Sequence, residues 1–444
     1  LIIGIFALVV CLGAGGCERR PDPGTPNVLL ITVDTLRADY LGCYGHPEVK
    51  TPNIDRLAAE GVNFRNNVAP SQCTNPAHAS IFTGLYLAFH GVYDNQTPLA
   101  EEALTMAEIL RQRDYKTLGA VSARHLNTEN ANFTQGFDEF LECEPVEITA
   151  EERNHKFLKK LRKAASRSFF AWVHYYDPHG DYVPPSPYDT MYPVGAEYDP
   201  VPGKEVMDLS EEKKSGPVDP DEIIPLYKGE ISYLDHHIGR LLDLLDELEI
   251  ADDTLVILVA DHGESMTEQG IYFCHAGLYN QTTHVPLILR FPGRIRPGLE
   301  FSGMTSSVDV LPTVLDLLGF ELRGSALDGR SLVPALTDPD YQPHEFVIVE
   351  AVDGIIGALY QAGYKYLKPY GDEWSVTEDH LFRPFEDYWE TQDLKHKEAE
   401  RARQMESFLD SWLQAAKQKS LPSVRREKLD KKTEEALKSL GYIK

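Results

Sequence analysis

The octapeptide NVLLITVD, residues 27–34, is a nearly continuous apolar run that ends in an aspartate. This is the pattern of a strand buried on both faces, and its C-terminal end delivers the Asp34 carboxylate. The run LVILVADHG, residues 255–263, has the same form and ends in Asp261 and His262. A third, SFFAWVHYYDPHG (168–180), also ends in polar, titratable residues, and KTLGAVSA (116–123) supplies a fourth strand. Helical patterns separate them. In ISYLDHHIGRLLDLLDELEI (231–250), Leu234, Ile238, Leu241, Leu245 and Leu248 recur at spacings of four and three, one apolar stripe of a helix. His236 and His237 of that helix read as surface residues rather than ligands. Strand ends carrying ligand-type side chains predict one site along the C-terminal edge of a largely parallel sheet, where open α/β folds bind their ligands.

The chain has 444 residues, 42% hydrophobic and 25% charged, enough for one large α/β domain or two ordinary ones. Its 43 Lys and Arg against 69 Asp and Glu give a formal charge of −26, which excludes a nucleic-acid partner on electrostatic grounds. An anionic substrate therefore needs a local positive device, a metal ion or a helix N-terminus. Beyond Cys11 and Cys17, the cysteines Cys43, Cys73, Cys143 and Cys274 are widely spread. That spacing allows one disulfide and excludes a zinc ribbon or a disulfide scaffold.

The N-terminal LIIGIFALVVCLGAGGCERR reads as a signal-peptide core followed by small residues and a charged tail. AGGC resembles a lipoprotein cleavage box, with Cys17 as the acylated N-terminus that would anchor the protein to a membrane. Ordinary secretory cleavage and an uncleaved anchor are the alternatives, and all three readings export the body of the protein. The expected organisation is a signal and lipoprotein box over 1–17, a tether over 18–26 and a catalytic domain over 27–335. A small C-terminal subdomain over 336–394 and a charged helical tail over 395–444 follow. Within the catalytic domain, 181–222 reads as a long insertion loop. In the C-terminal unit, EFVIVEAVD and ALYQAGYKYLKPY alternate like antiparallel strands.

The stretch SQCTNPAHASIFTGLYLAFHGV, residues 71–92, sets a cysteine beside a threonine. Pro76 suits the first position of a helix, Asn75 its cap and Gly84 its end. Cys73 and Thr74 then lie at a helix N-terminus, where an anionic group is stabilised. The residues alone leave open which of the two is a nucleophile, and a plain capping threonine is the bland alternative.

The wider string resembles the nucleophile segment of the sulfatase family of the alkaline phosphatase superfamily. That family carries Cys-x-Pro-x-Arg followed by Thr-Gly. Here Pro76 and Thr83-Gly84 set the register, place Thr74 at the nucleophile position and put His78 where the Arg would be. Without the Cys and Arg, conversion to formylglycine is not expected. The form Thr-x-Pro-x-His is similar also to the unmodified segment of nucleotide pyrophosphatase/phosphodiesterases. NVLLITVDTLRADYLGCYG, TPNIDRLAAEGVNF, TLVILVADHGE, LYNQTTHVPLILRFPG, SSVDVLPTVLDLLG and LDGRSLVPAL match other family signatures in order. The adjacent pair of Asp in the family's opening is here Asp34-Thr35.

The resemblance implies an alkaline-phosphatase-like α/β fold, with a large mostly parallel sheet flanked by helices and a smaller C-terminal antiparallel subdomain. It implies a metal-dependent hydrolase of sulfate or phosphate esters, with a glycan-borne ester among the expected substrates. Asp34, Asp261 and His262, with the Thr74 oxygen, become ligands of one divalent ion. Two carboxylates and an imidazole suit Ca²⁺, Mg²⁺, Mn²⁺ or Zn²⁺. Ser122 falls near a family Lys, His125 roughly on a family His, and His275 on a second family Lys. His179 matches a substrate-contacting His. With His78, His179 and His275 would orient the oxyanion or assist the leaving group. Asp177, His179 and His275 are candidates for a second ion, and His284 and Asn280 for supporting the ligands. A group transferase acting on a lipid or glycan, a phosphodiesterase, and a non-catalytic binding lipoprotein on this scaffold are the alternative functions.

Overall fold

A computed structural model of the protein describes residues 25–144, 147–193, 220–321, 327–351, 356–370, 378–419 and 421. The expected lipoprotein box, the 194–219 part of the insertion loop and most of the tail beyond 419 lie outside the described residues. Eight strands form the main sheet: β1 (Asn27–Val33), β2 (Val62–Val68), β3 (Lys116–Ala120), β4 (Glu139–Leu141), β5 (Phe169–Tyr175), β6 (Thr254–Ala260), β7 (Leu287–Arg290) and β8 (Leu299–Ser306). Their spatial order is β4-β3-β5-β1-β6-β7-β2-β8. Neighbours run parallel except for β7, which is antiparallel to both β6 and β2. The four runs read as strands are β1, β6, β5 and β3, and the first three are adjacent at the centre.

Both faces of β1 are covered, as its composition requires. Leu29, Ile31 and Val33 pack with α1 (Pro52–Ala59), while Val28 and Leu30 pack on the opposite face with α2 (Thr74–Thr83). The helices α3 (Leu87–His90), α4 (Met106–Arg111) and α5 (Thr128–Ala131) follow α2 in the chain. The long α6 (Ala150–Ala164) and α7 (Pro220–Glu247) join α1 on its face, and α8 (Asn280–Thr283) and α9 (Val310–Leu317) complete the domain. Burying each Leu, Ile or Val of this strand contributes about 1.5–3 kcal/mol. The α7 stripe Leu234, Ile238, Leu241 and Leu245 is buried as its spacing predicts. His236 is exposed, but His237 is buried at 5%, since α7 also meets α6, where Asn154 Nδ2 donates to His237 O.

Helix α2 starts earlier than expected. Cys73 is the extended residue before it and Thr74 is already helical. Pro76 fits inside the first turn because the N–H it lacks would have no intrahelical partner there. Asn75 does not cap the helix; its side chain donates to Asn95 O and His125 O. The helix ends where expected, on Gly84 at φ +67.

The C-terminal sheet is antiparallel, in the order β12 (His380–Phe382), β11 (Tyr364–Pro369), β10 (Ile356–Gln361), β9 (Phe346–Glu350). One face packs on Ile271, Leu278 and Tyr279 of the large domain, and the other packs under α10 (Ala399–Lys417). A buried ion pair fastens this unit. Lys365 Nζ lies 2.8 Å from Glu390 Oε1 with both side chains fully buried, and Glu390 Oε2 accepts from Asn280 N–H. Removing one member strands the other charge, so Lys365→Met is expected to lower unfolding stability by about 3–5 kcal/mol. Urea denaturation checks this: Lys365→Met combined with Glu390→Gln should lose less than Lys365→Met alone.

Candidate active site

The strand ends set the site. Val33 pairs with Ala260 in the parallel ladder, so the residues that follow, Asp34 and Asp261, emerge side by side. Asp34 N–H donates to Tyr175 O, and Asp261 N–H to Val33 O. Both side chains are fully buried. Gly263 follows because α8 crosses here: its N–H donates to Thr282 O, and a Cβ at this residue would collide with Gln281 O.

His262 turns toward the two carboxylates. Its Nδ1–H donates to Gly263 O at 3.0 Å, so Nε2 carries a lone pair. That atom lies 3.5 Å from Asp34 Oδ1, 3.8 Å from Asp261 Oδ2 and 3.3 Å from Thr74 Oγ1. Asp261 Oδ1 accepts from His262 N–H, whereas no hydrogen bond of normal geometry reaches either Asp34 oxygen or Asp261 Oδ2, where Thr35 N–H and the Thr74 hydroxyl only partly offset burial. One ligand atom each from Asp34, Asp261 and His262 lies within 4.8 Å of the others. Lone pairs facing lone pairs in a dry site repel unless a cation sits among them, so the donor set fits a divalent metal. Burial, and for Asp34 also the neighbouring Asp261, pushes both carboxyls well above the usual range. Burial lowers His262 to about 3.

Cys73 and Thr74 part company in this geometry. Thr74 Oγ1 reaches His262, while Cys73 Sγ turns away and donates to Asn95 Oδ1 at 3.2 Å. Burial raises the Cys73 thiol well above its ordinary value, which keeps it protonated.

The histidines separate into two groups. His78, expected to orient an oxyanion or assist the leaving group, lies fully buried beneath the site with both ring nitrogens engaged. Its Nδ1–H donates to Thr74 O at 2.8 Å, and its Nε2 accepts from Thr32 Oγ1 at 2.9 Å. Thr32 in turn accepts from Trp172 Nε1–H. Burial lowers His78 to about 4, so it is neutral and props the first turn of α2. His179 and His275 do reach the site. The His275 ring is 4.8 Å from that of His262 and 5.7 Å from that of His179, which stacks on Tyr176. His125 is buried near them, lowered first by burial and then by His179, His78 and His262.

Asp177 is not part of this group. Its Oδ2 accepts from Ala150 N–H at the start of α6, and its carboxyl pairs with Glu230. Burial raises Asp177 to about 6, and burial with Asp177 raises Glu230 to about 8. Among the described residues, Asp177, His179 and His275 do not form a metal-sized cluster. His284 and Asn280 face the C-terminal unit instead: His284 bonds Arg65 O and Tyr388 OH, and Asn280 donates to Pro384 O. Ser122 Oγ donates to His174 O within the sheet edge.

Two residues near the carboxylates were passed over in the sequence. His174, in β5, has Nε2 3.6 Å from Asp34 Oδ2. Glu264, fully buried, has Oε1 3.8 Å from His275 Nδ1, and its Oε2 accepts from Tyr182 OH. A histidine inside the otherwise apolar FFAWVHY was the available signal for the first; Glu264 had none beyond its closeness to Asp261.

Residues 26–320 match the family model described as Sulfatase. The multifunctional alkaline phosphatase superfamily protein PehA of Trinickia caryophylli is 29% identical over 398 aligned residues, covering 70% of this chain and 77% of that protein. An ulvan-active sulfatase of Formosa agariphila is 27% identical over 386 residues, covering 79% and 73%. The solved phosphonate monoester hydrolase SpPMH of Silicibacter pomeroyi shares the fold at a TM-score of 0.72. It is 23% identical, and the match covers 88% of this chain and 95% of that one.

The raised carboxyls carry a stability consequence. A folded-state pKa above the unfolded value favours the fold at low pH, and this contribution is lost as pH rises through the folded value. Chelator-treated protein is therefore expected to lose Tm as pH is raised above the ordinary carboxylate range. Added Mn²⁺ should restore more Tm at about pH 8 than at about pH 5, where it must displace protons. Thermal melts at the two pH values check this, and equal gains would mean that the carboxyls do not take up the ion.

Proposed function

This chain belongs to the sulfatase family and is an ester hydrolase, and we propose that it cleaves sulfate or phosphate esters with unmodified Thr74 as its nucleophile and one divalent metal ion. The observation that carries the reading is the convergence of Asp34, Thr74, Asp261 and His262 around unpaired carboxylate oxygens in a dry pocket. A cation held by these four residues would neutralise charge on the transferred group and lower the pKa of the Thr74 hydroxyl. The His78 bond to Thr74 O and the helix start at Thr74 fix the direction from which Oγ1 approaches.

In this mechanism Thr74 Oγ1, whose proton is released to solvent when the site is loaded, forms a bond to the central sulfur or phosphorus as the bond to the leaving oxygen breaks. His275 and His179 orient the non-bridging oxygens; burial lowers both imidazoles, His179 to about 4, so the one that protonates the leaving oxygen takes up its proton from solvent as the anionic substrate binds. Water then attacks the same central atom, its proton passes to a rim histidine, and the bond to Thr74 Oγ1 breaks. A threonine ester lacks the second hydroxyl through which a formylglycine hydrate collapses to its aldehyde, so release with Thr74 regenerated requires this second in-line displacement. Phosphorus supports such a double displacement well, which keeps phosphate and phosphonate esters beside sulfate esters as substrates. The relative active on ulvan supports a glycan-borne ester. The AGGC string supports an exported protein anchored through Cys17.

Thr74→Ala is expected to reduce turnover of nitrophenyl esters by at least about 10³-fold, while Cys73→Ala keeps most of it. The reverse result would remove Thr74 from its role. Metal-stripped and reloaded protein assayed side by side on aryl sulfate, aryl phosphate and bis-aryl phosphate identifies the ester class, with activity expected only after reloading.

A further inference from the structure

We propose that His174 is a positioning residue for the metal centre, its Nε2–H aimed at Asp34 Oδ2 so that the other oxygen, Oδ1, is presented to the ion. The proposal rests on the metal reading given above. His174 is the penultimate residue of β5 and pairs in register with Thr32 of β1, two residues before Asp34. Its side chain is fully buried.

The tautomer follows from the backbone. Ser122 N–H faces His174 Nδ1 at 3.4 Å, and an N–H cannot donate to a protonated nitrogen, so Nδ1 holds the lone pair and Nε2 the proton. Ser122 Oγ also donates to His174 O at 2.8 Å, so one residue fixes both the ring and its backbone. Nε2 lies 3.6 Å from Asp34 Oδ2, and neither atom has another hydrogen-bond partner. That gap is longer than a hydrogen bond. A carboxylate kept ionised by a cation on its far oxygen draws the N–H in, because charge-assisted bonds are the shorter ones.

The same residues could be read as a second ion site, since His174, His78 and Asp261 bring ligand atoms within 4.8 Å of one another. The protons argue against it. His78 Nδ1–H is given to Thr74 O and its Nε2 receives Thr32, while His174 Nε2 carries its own hydrogen. Neither ring offers a lone pair to an ion there. His262 does the opposite, giving Nδ1–H to Gly263 O and turning a bare Nε2 inward. Asp34 thus stands between a ligand histidine on Oδ1 and a donor histidine on Oδ2.

Equilibrium dialysis of the full chain against Mn²⁺ alone, with bound metal counted by elemental analysis, tests the assignment. Wild type is expected to take up one ion per chain. His174→Leu should also take up one, with its Kd weakened by about 10–100-fold. His174→Gln, whose amide N–H reaches the place of Nε2, should recover most of that affinity. If the leucine variant fails to fold by circular dichroism, His174→Asn, whose amide stops short of Asp34, takes its place in the comparison with Gln. Wild-type affinity in the leucine variant, or equal losses in Gln and Asn, would overturn the proposal. So would two ions in wild type and one in the leucine variant, which would make His174 a ligand. A wild-type protein that takes up no ion would overturn the metal reading itself, and this assignment with it.

Discussion

Two carboxylates at the ends of neighbouring parallel strands are the constraint around which this molecule is built. The Val33 and Ala260 pairing leaves Asp34 and Asp261 no freedom to separate, and both side chains are fully buried. Two unit charges within 4.8 Å of each other repel by roughly 3 kcal/mol or more even at an effective dielectric of 20. Such a pair persists only where protons or a cation answer it. The fold supplies a bare imidazole nitrogen from His262 and a hydroxyl from Thr74 beside the pair, a set that completes a metal's coordination better than it satisfies a proton.

Histidine serves three different ends around this pair, and the backbone decides which. Gly263 O takes the Nδ1 proton of His262 and turns a lone pair inward. Ser122 N–H takes the Nδ1 lone pair of His174 and leaves a donor facing inward. Thr74 O and Thr32 Oγ1 occupy both nitrogens of His78. The residue type is the same in each place; the peptide group beside it sets the chemistry. His179 and His275 are only partly buried, the His275 ring lying near those of His262 and His179 and its Nδ1 near Glu264.

The C-terminal unit supports the site at a distance. Its buried Lys365–Glu390 pair reaches Asn280 at the start of α8, and α8 crosses the strand end at Gly263. An ion pair, a side-chain-to-backbone bond and a backbone bond thus link the small sheet to the residue after His262. The overall charge of −26 gives no attraction to an anionic substrate, which places the burden of anion recognition on the local centre.

The sequence by itself determined the central strands and the titratable side chains at their ends. Continuous apolar runs such as NVLLITVD and LVILVADHG have only one stable placement, between two covering layers, and the residue after each run must then emerge at the sheet edge. The register of Pro76 and Thr83-Gly84 gave an expectation for Thr74 only through the family resemblance, since the residues alone left Cys73 and Thr74 open. Only the tertiary structure decided the rest. It sent Asp177 to Glu230 and α6, locked His78 beneath the site, buried His237, and brought His174 to Asp34. Periodicity fixes which face of an element a side chain leaves from. The partner it meets there, and with it the position of each imidazole proton, depends on peptide groups far away in the chain.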